Sequence, residues 1–261
     1  MNYQFFAQTD PGRVRANNED CVAFDEATQL AVLADGMGGY NAGEVASGMA
    51  AVLIKAELAR YMSVAGQQAP VGQVKRAIET CVAQVNRAIF DASKSNPEYA
   101  GMGTTLVVGV FLESRLILGH AGDSRCYRWR GNALKQITHD HSLLQEQVDA
   151  GWLTPAQAAV SPNKNLVTRA LGVEAGMMLE LHVHAVEAGD IYLMCSDGLS
   201  DMLEEAAIAA ILYHGGSLAQ MAQRLVDMAN EKGGRDNITA LLAQAHGTSD
   251  ERGLISRLFG H

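Results

Sequence analysis

Residues 104–120, TTLVVGVFLESRLILGH, form two apolar runs separated by a short polar turn. Thr104–Leu112 and Arg115–His120 therefore read as the two strands of a β-hairpin. A second hairpin follows at once, with Ser124–Trp129 and Ala133–Ile137 flanking Arg130-Gly131-Asn132. Upstream, Tyr3–Gln8 and Cys21–Asp25 read as strands ahead of the apolar run Leu30–Ala34. Two helical stretches, Ala42–Met62 and Val71–Ser93, separate these strands from the hairpins. Both place apolar residues at three- and four-residue spacings among Ala, Lys, Glu and Arg, and Ala65–Gly72 makes the turn between them. Downstream, strands at Met178–Ala185 and Ile191–Cys195 precede helices near 204–213 and 217–232, and Ile238–Ala245 is a final strand. Strands, helices, hairpins and helices in that order predict an α+β fold with mainly antiparallel sheets. The absence of a regular βαβ alternation speaks against a Rossmann-like sheet.

The bulk composition fits a soluble globular protein, with 48% hydrophobic residues to build a core and 19% charged residues to solvate it. The opening MNYQFFAQTD has neither a basic segment nor a long apolar one, and no run approaches the roughly 18 apolar residues of a membrane span. The expectation is a cytoplasmic monomer. Cys21, Cys81, Cys126 and Cys195 are far apart with no CxxC pair, so they read as reduced, mostly buried apolar residues. A net charge of −9 argues against DNA as a partner, but allows an anionic substrate where cations are held locally.

Four aspartates share a setting. Asp35 in LAVLADG, Asp123 in RLILGHAGDS and Asp197 in DIYLMCSDG each follow an apolar strand, and Asp236 in KGGRDNIT immediately precedes one. Asp and Gly together are common in plain turns, so one such site means little. Four carboxylates at comparable strand ends can converge on one rim. There they would repel one another and have raised pKa values unless cations intervened. An oxygen-only donor set suits hard Mg2+ or Mn2+ rather than Zn2+. Two such ions sharing a carboxylate can lower the pKa of a bridging water and clamp a phosphoryl group for in-line attack, with no covalent nucleophile. Accordingly, Ser124, Ser142 and Ser196 lack any G-x-S-x-G setting. In TDPGRVRANNED, Arg15 suits either a bidentate phosphate clamp or a solvated surface position. Glu19 and Asp20 suit either groups behind the metal ligands or a charged turn.

With these residues in place, the chain resembles the PPM family of protein phosphatase 2C-like enzymes, in its compact bacterial form. The matching pieces run in family order: GRVRANNED (12–20), VLADGMGG (32–39), GTT (103–105), HAGDSR (120–125), TRALG (168–172), CSDGLSD (195–201) and RDNIT (235–239). The resemblance implies a four-layer α-β-β-α sandwich with the metals at one end, as a single domain over 1–246 followed by a tail, 247–261. It implies that Asp35 bridges two core ions, that the Gly36 carbonyl binds one and that Asp197 and Asp236 bind the other. Asp123 with Asp197 would hold a third ion more weakly. Arg15 would hold the substrate phosphate, Glu19 and Asp20 would order metal-bound water, and residues 141–170 would form a substrate-selecting flap. The implied reaction is hydrolysis of phosphoserine and phosphothreonine in proteins, by direct attack of metal-bridging water, opposing serine/threonine kinases. A catalytically silent phosphoprotein-binding module and a hydrolase of small phosphate esters are the alternatives.

Two positions depart from the wider family. Animal members commonly carry a proton-donating His where this chain has Met37, a bacterial trait that leaves metal-bound water as the acid. Many bacterial relatives have His-Pro where this chain has Ser161-Pro162. His139 and His141 in THDHS stand at a strand-like i, i+2 spacing and match the start of the flap, so they read as flap residues rather than a metal pair. Met49, Met62, Met221 and Met228 recur at helical spacing and read as core. Thr104 and Thr105 read as supports beneath the rim.

Overall fold

The computed structural model describes residues 1–39, 42–159, 161 and 166–247. Its strands form two antiparallel sheets. The first contains, in spatial order, β1 (Asn2–Asp10), β11 (Ile238–His246), β10 (Ile191–Cys195), β7 (Arg125–Arg130) and β8 (Ala133–Gln136). The second contains β2 (Asp20–Asp25), β3 (Leu30–Met37), β5 (Leu106–Leu112), β6 (Arg115–Ala121) and β9 (Glu180–Ala185), with the two-residue β4 (Gly103–Thr104) paired to the end of β3.

Helices α1 (Ala42–Ala65) and α2 (Val71–Ser95) cover the second sheet, and α6 (Glu205–His214) and α7 (Leu218–Glu231) cover the first. Two short helices, α3 (Leu143–Asp149) and α4 (Pro155–Ala159), belong to the flap, and the one-turn α5 (Asp197–Ser200) follows β10. The expected four-layer α-β-β-α sandwich is the fold.

The layering explains why several strands read as unbroken apolar runs. Along β3, Leu30, Val32 and Ala34 pack toward α1 and α2, whereas Ala31 and Leu33 face the other sheet. Along β10, Ile191, Leu193 and Cys195 pack toward α6 and α7, whereas Tyr192 and Met194 face the interior between sheets. A strand buried on both faces loses the polar alternation of a half-exposed one. Helix α7 buries Leu218, Met221, Ala222, Leu225, Val226 and Ala229 along one stripe. Ser217 and Gln220 close its start as a capping box, satisfying two otherwise orphaned amides.

The turns are equally local in origin. Arg130 pairs with Ala133, leaving Gly131 and Asn132 as a two-residue loop with φ of 54° and 63°. Both lie in the left-handed region that a type I′ hairpin turn demands, which Gly and Asn adopt at little cost. The expected strand Thr104–Leu112 is broken in two. Thr105 leaves the ladder because its amide donates to the Asp35 carbonyl at 2.8 Å. The expected strand Met178–Ala185 begins only at Glu180, since Met178 is 80% exposed and has nothing to pack against. Met62 and Met221 are core residues as expected, and Met49 and Met228 pack on the core edge. All four cysteines are free thiols. Among the described residues, no helix is long and apolar enough to cross a membrane. Pro162 and the tail beyond Gly247 lie outside the described residues.

Candidate active site

Asp35 stands near the end of β3, and its backbone is held from two sides. Its amide donates to Thr105 Oγ1 at 3.1 Å, and its carbonyl accepts from the Thr105 amide and from Thr104 Oγ1 at 2.9 Å. Thr105 Oγ1 also shares a hydrogen with Ser124 Oγ at 2.8 Å, which ties the Asp35 strand to the loop carrying Asp123. The two threonines thus support the rim, as their position after Gly103 suggested. Gly36 has no room for a side chain, because a Cβ there would collide with the carbonyl of Gly43 and crowd that of Glu19.

Asp35, Asp123, Asp197 and Asp236 line one cavity of about 390 Å³, together with Arg15, Glu19, Gly36 and Met37. Each carboxylate is delivered by a different element. Asp35 lies near the end of β3, Asp123 follows β6, Asp197 opens α5 and Asp236 precedes β11. Arg15 Nη2 donates to Asp236 Oδ2 at 2.7 Å, so the guanidinium stands at the mouth and is not loose in solvent. Asp20 lies beneath the cavity, where Oδ2 accepts from Ser196 Oγ and Thr239 Oγ1, both at 2.7 Å. Its other oxygen, Oδ1, is buried and has no partner among the described residues.

The electrostatics of this cluster are costly without cations. Burial, then the neighbouring charges of Asp20, Asp197, Asp123 and Asp236, lifts Asp35 well above the ordinary carboxylate range. Burial and then Asp123 do the same to Asp197. Burial followed by the charge of Asp140 pushes Asp123 up to about 6. A divalent ion removes this penalty. The donors are all oxygens, one buried carboxylate oxygen is orphaned, and the Gly36 backbone is bare, so the residues present fit hard divalent cations.

Asn237 is a functional residue that the motif reading passed over. Its Oδ1 accepts from the Glu19 amide at 2.7 Å, and its Nδ2 donates to the carbonyls of Pro11 at 3.0 Å and Asn17 at 2.8 Å. One buried side chain thereby fixes both ends of the loop that carries Arg15. The signal was its place beside Asp236 in RDNIT. Nothing in the local sequence hinted that Ser196, weighed only as a nucleophile, and Thr239, at the end of RDNIT, both hold Asp20.

The flap is closed at its base. The His141 amide donates to the Gly122 carbonyl, the Thr168 amide to the His141 carbonyl, and the Leu143 amide to that of Leu166. Between this flap and α5 lies a second cavity of about 530 Å³, which shares Asp123 and Asp197 with the first. His139 and His141 point to different partners, Asp149 and Glu180, and do not form a pair.

A family model described as protein phosphatase 2C matches residues 12–243, most of the chain. The chain belongs to the protein phosphatase 2C family. It is 37% identical over 244 residues to the serine/threonine phosphatase stp of Listeria welshimeri, covering 91% of this chain and 94% of that one. Its fold matches the crystal structure of the Mycobacterium tuberculosis serine/threonine phosphatase PstP/Ppp with a TM-score of 0.86 and 38% identity, over 95% of this chain and 100% of that chain. The catalytic domain of PstP has also been solved in complex with two manganese ions, and matches with a TM-score of 0.81 and 37% identity, over 94% and 99% of the two chains. The fold is thus that of this phosphatase family.

Proposed function

We propose that this chain is a Mn2+- or Mg2+-dependent serine/threonine protein phosphatase that hydrolyses phosphoserine and phosphothreonine by direct attack of water. The convergence of Asp35, Asp123, Asp197 and Asp236 on one cavity, with Arg15 at its mouth, carries this reading. Asp35, Asp197, Asp236 and the Gly36 carbonyl would hold two core ions, with Asp35 shared, and Asp123 with Asp197 a third. When bound, the ions supply an acidified water and neutralise the phosphoryl oxygens.

The chain's own residues do the rest. Arg15 offers the remaining donors of its planar fork to two phosphate oxygens, while Asp236 fixes its direction. Glu19 and Asp20 present carboxylate oxygens beside and beneath the cavity, where they accept hydrogen bonds from water and orient it. Met37 carries no exchangeable proton, so the leaving alkoxide takes its proton from water. The flap lines the second cavity and selects among phosphoproteins. The substrates would be the products of a serine/threonine kinase, and the enzyme acts as a cytoplasmic monomer.

Asp35→Asn and Asp197→Asn, assayed on a phosphopeptide with Mn2+, test this. Loss of nearly all activity in both is expected, and full Mn2+-dependent turnover in both would overturn the reading.

A further inference from the structure

A second donor cluster stands behind the carboxylate rim. His120 near the end of β6, His141 at the base of the flap and Glu180 at the start of β9 each offer one ligand atom, and these atoms lie within 4.8 Å of one another. Strand pairing places His120 opposite Glu180. The flap base supplies His141, whose Nδ1 accepts the Gly122 amide at 3.2 Å.

One tautomer of His120 suits a ligand. His120 Nε2 faces both the His139 carbonyl at 2.8 Å and the His139 amide at 3.3 Å; the tautomer that donates to the nearer carbonyl leaves Nδ1 as a lone pair. That Nδ1 is buried and has no partner among the described residues. A backbone carbonyl on the far ring nitrogen is the usual outer support of a metal-binding histidine. His141 turns Nε2 toward Glu180 Oε2 at 3.0 Å, and His182 Nε2 approaches the other oxygen of Glu180 at 2.6 Å. A cavity of about 330 Å³, lined by Glu180, His182 and His184 together with Arg128 and Lys135, opens beside Glu180.

We propose that His120, His141 and Glu180 bind a zinc-class ion at a site separate from the aspartate rim, with His182 available as a fourth donor. Two imidazoles and a carboxylate are borderline-soft ligands that prefer Zn2+, whereas the all-oxygen rim prefers Mg2+ or Mn2+. Loading requires closure. The two imidazole rings now stack in parallel with centroids 4.7 Å apart and must open so that both lone pairs meet one point. Arg169 Nη1, 3.3 Å from His141 Nε2, must swing away. Because His141 Nδ1 accepts the Gly122 amide, Nε2 carries the ring proton in the free protein; ligation through Nε2 moves that proton to Nδ1 and breaks the contact with Gly122 beside Asp123, so zinc loading lowers phosphatase turnover.

Equilibrium dialysis of the full chain against Zn2+, with Mg2+ in excess to fill the rim, tests this without reference to activity. Wild type should retain one zinc per chain. Glu180→Gln, at a partly exposed strand start where the fold tolerates change, should weaken retention tenfold or more. Asp35→Asn should leave retention intact. No zinc held by wild type, equal retention by Glu180→Gln, or loss of zinc on Asp35→Asn would each overturn the proposal.

Discussion

Asp20 and Asp35 are direct cross-strand partners, opposite one another in the antiparallel pairing of β2 and β3. Like charges in that relationship destabilise a sheet, yet here Asp20 is buried and Asp35 lines the cavity. Ser196 and Thr239 satisfy one oxygen of Asp20, and the other is left bare. The arrangement is stable as a host for cations and strained without them.

A pH dependence follows for the protein stripped by a chelator. Burial above all pushes Asp20 up to about 6, against hydrogen bonds from Thr239 and Ser196 that oppose the rise. Asp123 also rises to about 6, and Asp35 and Asp197 rise further. Unfolded aspartates titrate near 3.9. Between these values the folded state binds more protons than the unfolded state, so stability falls as pH rises. The melting temperature of chelated protein should therefore climb as pH drops from about 7.5 to 5.5, each raised pKa unit counting for about 1.4 kcal/mol. Mn2+-saturated protein should lack that climb. A chelated protein that melts lower at pH 5.5 contradicts this account.

Asp20→Asn separates the two roles of that residue. Removing one of the opposed charges should raise the melting temperature of metal-free protein while weakening its affinity for Mn2+. Differential scanning calorimetry with and without Mn2+ reads both effects. A variant stabilised equally in the two conditions would show that the buried charge plays no part in holding cations.

Arg15→Lys keeps a positive charge but loses the planar fork. A charge-assisted hydrogen bond is worth about 1.5–3 kcal/mol, so kcat/KM on a phosphopeptide should fall roughly ten- to hundredfold, most of it in KM. Unchanged KM would mean that the guanidinium serves Asp236 alone.

Asn237→Ala leaves the Glu19 amide and the carbonyls of Pro11 and Asn17 without their partner. The loss should be about 1–3 kcal/mol of stability, with a raised KM because the Arg15 loop is no longer fixed. Chemical denaturation and steady-state kinetics on the same preparation check both. A destabilised variant with wild-type KM would limit Asn237 to a structural role.

Gly36→Ala inserts a methyl group against the Gly43 carbonyl, which belongs to backbone and cannot yield. Overpacking of this kind costs about 1–3 kcal/mol. It also moves the carbonyl assigned to the metal, so Mn2+ binding measured by calorimetry should weaken along with stability.

The layered fold was legible because its strands are buried on both faces and its helices carry apolar stripes. Leu30–Ala34 and Leu106–Leu112 announce a core position by composition alone. The rim was legible because Asp35 and Asp123 stand at the far ends of β3 and β6, which run the same way on either side of β5, while Asp197 after β10 and Asp236 before the antiparallel β11 share one edge of the other sheet. The break in the strand at Thr105 escaped because it depends on Asp35, 70 residues away. His120, His141 and Glu180 escaped because β6, the flap and β9 bring them together across gaps that no local pattern marks. Asn237 was inside a recognised motif, but its three partners lie more than 200 residues upstream.

The pairing of β1 with β11 runs from Asn2 opposite His246 to Asp10 opposite Ile238. On the ribosome, β1 must therefore wait until Ile238–His246 has been made before it finds its neighbour, and contacts of such long range form slowly. Asp236 lies just ahead of β11, so the cavity it shares with Arg15 and Asp35 cannot be complete until that far stretch of chain has been made.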